Sequence, residues 1–319
     1  MTPKAGIATT IKGCPASILD EFIRYHQSIG FAYFIFFLDD PSEEAPLVWP
    51  AANVQFVKTD RDLYNQWQSV NRPGLLKYIE TDIIARQILN LEVAFRIFRD
   101  LDVKWAVHID VDEIFYSIRW DNVIDHFIEL DYNNIYSVNY PNFEAIPEKI
   151  NIESYYRDVT LFKRNSSLLT DYQIDALKVY RTENPGRQYF NFYGNGKPAG
   201  NILGNIFPVG PHHFSNSMRI KSDSNVVILH YPVCGLQYFI DKYKILGSFP
   251  DTWLGQHEIA ASLPFHVLSR DTIGATNMDE VIGLYKNNVM LDPEQIAYLL
   301  DKGILVRLRD VADRLKTLV

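Results

Sequence analysis

What most constrains this chain is the rhythm of residues 1–140. Short, strongly apolar runs alternate there with amphipathic stretches at helical spacing, which is the pattern of repeated strand–helix–strand units. Residues 6–11 read as a first strand. Pro15 suits the first position of a helix, Ile18, Phe22, Tyr25 and Ile29 recur at its spacing, and Gly30 suits its C-terminal cap. Residues 31–38 are apolar without a break, as expected of a parallel strand covered on both faces. A third strand is expected over 53–58 and a fourth over 105–111. Between them residues 75–99 read as one long helix, with Leu76, Ile79, Ile83, Ile84, Ile88, Leu91 and Phe95 as its buried stripe.

Beyond residue 130 the rhythm loosens. Strands are expected over 134–140, 159–162, 188–193 and 225–230, and a helix over 235–246. Three helical segments follow Asn277, the last carrying Leu305, Val306, Leu308, Val311, Ala312, Leu315 and Val319. The expected organisation is an α/β domain over residues 1–250 and a helical extension over 251–319 packed on it. With 319 residues, 47% of them hydrophobic, the chain has ample material for such a core.

Charge and cysteine content narrow the partners. Against 39 Asp and Glu there are 31 Lys and Arg, a formal charge of −8, which argues against a nucleic-acid surface or a polybasic anchor. Cys14 and Cys234 lie far apart and match neither a zinc spacing nor a disulfide framework, so a reducing cytoplasm is expected. The opening residues lack the pattern of a secretory signal, and no apolar run is long enough to span a bilayer. That leaves only peripheral membrane contact. Oligomeric state is open.

The strongest local signal is Trp105-Ala-Val-His-Ile-Asp-Val-Asp-Glu-Ile-Phe115. If the strand runs through it, His108, Asp110 and Asp112 share one face and two carboxylates converge at its end. Adjacent acids there call for a cation, and hard divalent ions such as Mn²⁺ or Mg²⁺ take oxygen ligands. A solvated turn is the plainer account of an arbitrary Asp-x-Asp. The carboxyl end of a buried strand, where open α/β sheets bind ligands, favours the metal. Asp39 and Asp40 end another such strand and are expected on the same rim, with a simple Asp-Asp-Pro-Ser turn as the alternative. His212, His213 and His230 each follow or end a strand-like run, and one imidazole near the acids would complete a mixed oxygen and nitrogen site. Lys197, Arg219 and Lys221 are candidates to neutralise phosphate oxygens. No Walker loop, nucleophile elbow, Cys-x-x-Cys pair, His-Glu-x-x-His helix or Rossmann glycine fingerprint occurs.

In their order and spacing these residues resemble glycosyltransferases of the GT-A fold, family 92 and related family 2 enzymes in particular. The likeness rests on residues 19–30, on Phe34-Ile-Phe-Phe-Leu-Asp-Asp40, on Gln87 followed by the 105–115 segment, and on Gly196-Lys-Pro198, His212-His-Phe214 and Leu229-His-Tyr-Pro232. It implies a Rossmann-like, mixed but mainly parallel sheet flanked by helices. It implies transfer of a sugar, with inversion, from a nucleotide-sugar donor of the UDP type to a hydroxyl of a glycan or glycolipid, as in polysaccharide biosynthesis. Asp110, Asp112 and His230 would hold Mn²⁺ or Mg²⁺. Asp39 or Asp40, Gln87, Lys197 and His212 would lie around the nucleotide. The acceptor's proton would go to Glu144, with His212 and His213 as competitors. Tyr140, Phe143, Tyr155, Tyr156, Tyr189, Phe192 and Tyr193 would offer ring faces to the glycan. The chain departs from the family at Lys12-Gly13-Cys14 and Phe22, where relatives carry Asn-Glu and Trp. Two readings from other classes stand beside it: a non-catalytic nucleotide-sugar or glycan-binding module, and a metal-dependent nucleotidyltransferase or phosphohydrolase.

Overall fold

The computed structural model describes residues 2–70, 72–215, 218–219, 225–275 and 277–318. They form two compact units, each assembled from separated stretches of chain. The first comprises Met1–Tyr140, Gly196–Ile228 and Trp253–Gly255, the second Pro141–Asn195, Leu229–Thr252 and Gln256–Val319.

In the first unit the expected alternation is realised as β1 (Ala5–Ile11), α1 (Ala16–Ser28), β2 (Tyr33–Leu38), β3 (Val54–Lys58), α2 (Arg61–Ser69), α3 (Ile83–Asp100), β4 (Trp105–His108), β5 (Glu113–Ser117), α4 (Val123–Tyr132) and β6 (Ser137–Tyr140). Its seven-stranded sheet runs β3-β2-β1-β4, then the strand Lys197–Asn201, then β6, with Met218–Arg219 at the far edge. Strands β1 to β4 are mutually parallel, and Lys197–Asn201 runs against both β4 and β6. The fold is thus mixed α/β, a mainly parallel sheet flanked by helices, as the GT-A resemblance implies.

Strand alternation explains why β2 is apolar throughout. Ile35 and Phe37 face a cluster that includes Leu63 and Trp67 of α2 and Leu89, Phe95 and Phe98 of α3. Phe34 and Phe36 face the other way, where Phe22 of α1 meets Phe36 edge-on at 6.1 Å. On α4, Phe127 stacks on Trp105 at 4.9 Å. Both faces are therefore dry, which is what a parallel strand requires.

Several local expectations are corrected. The run 75–99 is not one helix: Pro73–Tyr78 is a 3₁₀ turn, and Asp82 starts α3 afresh by accepting the N–H of Ile84 at 2.8 Å. Leu76 belongs to that preceding turn and Ile79 directly follows it, so their helical spacing is fortuitous. Helix α2 was not foreseen, although Asp60 caps it through the N–H groups of Asp62 and Leu63. The fourth strand stops at His108 rather than 111.

In the second unit Asn142–Ile146 pairs antiparallel with Leu161–Lys163, which pairs antiparallel with Leu305–Arg307. Leu305 and Val306 are thus strand, and the last helix is Asp310–Thr317. Residues 188–193 form bends instead of a strand, while Asp171–Glu183 is a helix opened by the Thr170–Gln173 capping box. The helices Leu236–Leu246, Met278–Asn288 and Pro293–Asp301 occur as expected.

One buried histidine gives the first unit a pH dependence. His26 donates from Nδ1 to the Phe22 carbonyl at 2.8 Å and accepts the Phe115 N–H at Nε2, 3.1 Å. Burial pushes its pKa down from 6.5 to about 3, against a smaller opposing pull from the Phe22 carbonyl. The unfolded chain protonates first, so this stability is complete above pH 6.5 and lost as pH falls towards 3. The expected slope is about 1.4 kcal/mol per pH unit. Urea unfolding of the native chain and of His26→Gln across that range checks it; equal slopes would count against the assignment.

Candidate functional site

The carboxyl edge of the first unit's sheet gathers most of the candidate residues. Beyond the end of β4 the chain turns tightly: Glu113 donates its N–H to the Asp110 carbonyl at 3.0 Å and accepts the Asp110 N–H on its carboxylate at 2.8 Å. That turn ends the strand, so the expected alternation of His108, Asp110 and Asp112 along one face does not hold. His108 is instead buried, with Nδ1 2.7 Å from the Pro211 carbonyl. Asp112 is on the turn and partly exposed.

Asp110 meets two side chains from other elements. Lys197, at the head of its strand, brings Nζ to 2.5 Å, and Gln87 of α3 donates to the other carboxylate oxygen at 3.3 Å. Lys197 also lies 3.3 Å from Glu113. Burial alone would raise the Asp110 carboxyl, but the Lys197 ammonium overrides it and holds that carboxyl well below the usual carboxylate range. The same pairing raises Lys197, against the downward push of its own burial. Lys197 is only 1% exposed, so it meets carboxylates inside the chain rather than standing open as a surface phosphate ligand.

The segment that delivers Lys197 depends on one glycine. Gly196 has φ +78, and a Cβ there would collide with the Tyr140 carbonyl oxygen. Only glycine lets the two backbones approach so closely.

At the end of β2, Asp39 is held bidentate by Arg86 of α3, at 2.6 and 2.8 Å. Arg86 also donates to the Ile79 carbonyl. Asp40 accepts both the N–H and the hydroxyl of Ser42, at 2.9 and 2.6 Å, and so closes the turn. Burial, Glu43 and Asp112 push the Cys14 thiol, after β1, up to about 12, so it is no thiolate nucleophile.

Asn139 of β6 arranges the histidine pair. Its side-chain amide donates to the His212 carbonyl and lies 3.0 Å from His213 Nδ1. The His212 ring meets the Gly196 carbonyl at 2.8 Å, and burial followed by the Lys197 charge pushes its pKa well below 6.5. His213 is exposed. Arg219 has no described side chain, and Lys221 lies outside the described residues.

The second unit holds Glu144 and His230. Glu144 is 2% exposed and accepts from Lys163 at 2.8 Å and from the N–H groups of Asn191 and Phe192 at 3.0–3.1 Å. A carboxylate so engaged has a structural task that needs no substrate. His230 ends the strand Val226–His230, with its ring 4.8 Å from Tyr193 and 5.8 Å from Phe192. The expected aromatic glycan platform is corrected: Tyr140, Phe143, Tyr155, Tyr156, Tyr189 and Phe192 are all buried, and Tyr193 alone of that set is partly exposed. Filling the core takes these rings.

Arg86, Glu113 and Asn139 were not singled out from sequence. Arg86 had a signal, since it precedes Gln87 on the same helix; Asn139 had none, because its partners lie more than 70 residues away. Among the described residues no helix is long and apolar enough to cross a membrane.

No family model matches the chain. Two Arabidopsis thaliana proteins named glycosyltransferase-like are similar to it, at 23% identity over 309 residues and 25% over 310. Each alignment covers 90% of this chain but only 58% and 66% of those proteins. Among solved structures, core-mannan synthase A from Aspergillus fumigatus in its Mn/GDP form overlaps 63% of the chain at 13% identity with a TM-score of 0.27, covering 60% of that structure. The mannosyltransferase Ktr4p from S. cerevisiae overlaps 57% at 14% identity with a TM-score of 0.23, covering 45% of its own chain. Structural overlaps this partial assign no activity to the chain.

Proposed function

We propose that this chain transfers a sugar from a nucleoside-diphosphate donor, a UDP-sugar, to a hydroxyl of a glycan or glycolipid, with a divalent cation and inversion at the anomeric carbon. The observation that carries the reading is the sheet edge at β1. Strand order reverses there, with β2 and β3 on one side and β4 on the other, and such a switch point is where open α/β sheets bind ligands. Acids end both flanking strands, Asp39 and Asp40 after β2 and Asp110 and Asp112 after β4. Similarity over 90% of the chain to two glycosyltransferase-like proteins supports it independently.

In this reading residues 1–250 form the transferase and 251–319 a largely helical addition that also carries the strand Leu305–Arg307. Asp110, Asp112 and His230 hold the cation, and the chemistry of that donor set, carboxylate oxygens with an imidazole, suits Mn²⁺ or Mg²⁺. The bound ion would supply positive charge where the nucleoside diphosphate leaves. The chain does the remaining work. Asp39 or Asp40 orients the nucleoside, while Gln87 and Lys197 fix Asp110. His212 lines the donor, and His213 or Glu144 takes the acceptor's proton.

Thermal unfolding with nucleotide sugars, with and without Mn²⁺, tests the reading. A donor at about 100 times its Kd should add about 2.7 kcal/mol of apparent stability, and only with the metal. Incubation with acceptor should then release nucleoside diphosphate. Release of pyrophosphate would favour the nucleotidyltransferase, and no response to any common donor would overturn the proposal.

A further inference from the structure

Lys197 is an unusual neighbour for a cation-binding acid. It opens its strand opposite Tyr140, with its side chain turned into the unit and 1% exposed. An ammonium this deep persists only where carboxylates compensate it. Asp110 at 2.5 Å and Glu113 at 3.3 Å do so. Both acids are fixed in turn, Asp110 by Gln87 and Glu113 by the Asp110 N–H. The result is a cation tethered to the chain and held between the carboxylates of Asp110 and Glu113, with the Asp112 charge acting in the same sense. A divalent ion approaching Asp110, whose side chain is 30% exposed, meets the buried Lys197 charge on the carboxylate's inner side, and like charges repel.

We propose that Lys197 is an internal competitor for the divalent cation, occupying the carboxylates of Asp110 and Glu113 and so keeping an ion from binding Asp110 tightly without nucleotide. The diphosphate of a donor would add negative charge on the ion's far side and tip the competition. Metal would then be recruited with the donor rather than before it. The pairing of Lys197 with its carboxylates follows from the geometry alone; only the donor's part rests on the transferase reading. Lys197 is on this account a positioning residue, acting through Asp110.

The test is Mn²⁺ titration without nucleotide, followed by calorimetry or by the Mn²⁺ paramagnetic signal. It compares the native chain with Lys197→Gln, Lys197→Arg and the double change Lys197→Gln with Asp110→Asn. The glutamine variant is expected to bind Mn²⁺ on the order of tenfold more tightly, since the repulsion is gone and both anions remain. Arginine should stay near native, and the double change should lose the gain. Equal or weaker binding by Lys197→Gln overturns the proposal, and so does a gain that survives the loss of Asp110. If Lys197→Gln does not fold alone, recovery of cooperative unfolding with Mn²⁺, but not with Na⁺ at equal ionic strength, supports the proposal; no recovery overturns it. Failure of the transferase reading would leave this titration unchanged and show only as silence towards nucleotide sugars.

Discussion

Replacing Glu144 with Gln is expected to cost about 3–5 kcal/mol of stability, because it breaks a buried ion pair and strands one charge. The Glu144 and Lys163 side chains are 2% and 6% exposed and meet at 2.8 Å across adjacent antiparallel strands. The carboxylate also gathers the N–H groups of Asn191 and Phe192, in a stretch with no regular secondary structure to satisfy them. A glutamine fills the same volume and can still accept those N–H groups, but it leaves the Lys163 ammonium uncompensated. The double change Glu144→Gln with Lys163→Met should recover most of the loss, as removing both charges removes the mismatch. Urea midpoints of the single and double variants measure this. A native midpoint with abolished transfer would instead make Glu144 the acceptor's base. A lowered midpoint with turnover intact in the folded fraction would leave it a structural anion.

Changing Asp112 to Asn is expected to lower transfer on the order of 10³-fold, since a catalytic cation contributes several kcal/mol at the leaving group and each 1.36 kcal/mol is a factor of ten. The amide keeps the size and shape of the side chain at the turn Val111–Asp112 and removes the charge, so transfer is read per folded fraction. The metal-dependent part of any nucleotide-sugar stabilisation should vanish in the same variant. Retained Mn²⁺ dependence with Asn at this position would remove Asp112 from the ion's ligands.

Much of the first unit was legible because its signals are local. An unbroken apolar run at residues 31–38 has few stable solutions other than a covered strand, and Asp39-Asp40 marks its end. The helix break at Asp82 was also written locally, but two hydrophobic residues in register hid it. The second unit was harder to read. Leu305–Arg307 is strand because Leu161–Lys163, more than 140 residues earlier in the chain, offers it an edge. On spacing alone, Leu305 and Val306 read as part of a helical stripe with Leu308, Val311, Ala312 and Leu315.

For the candidate site, sequence by itself determined which chemistry is present and where each acid enters the fold, since strand ends and turn residues are properties of a few neighbouring positions. Only the tertiary structure decided what those acids do. It gave Asp39 to Arg86 and Asp110 to Lys197, it buried Glu144 against Lys163, and it sent most of the aromatic rings of the looser half into the core. The reason is physical. A buried charge takes whichever opposite charge the packed backbone brings within about 3 Å, and that choice depends on contacts between distant residues that no local pattern records.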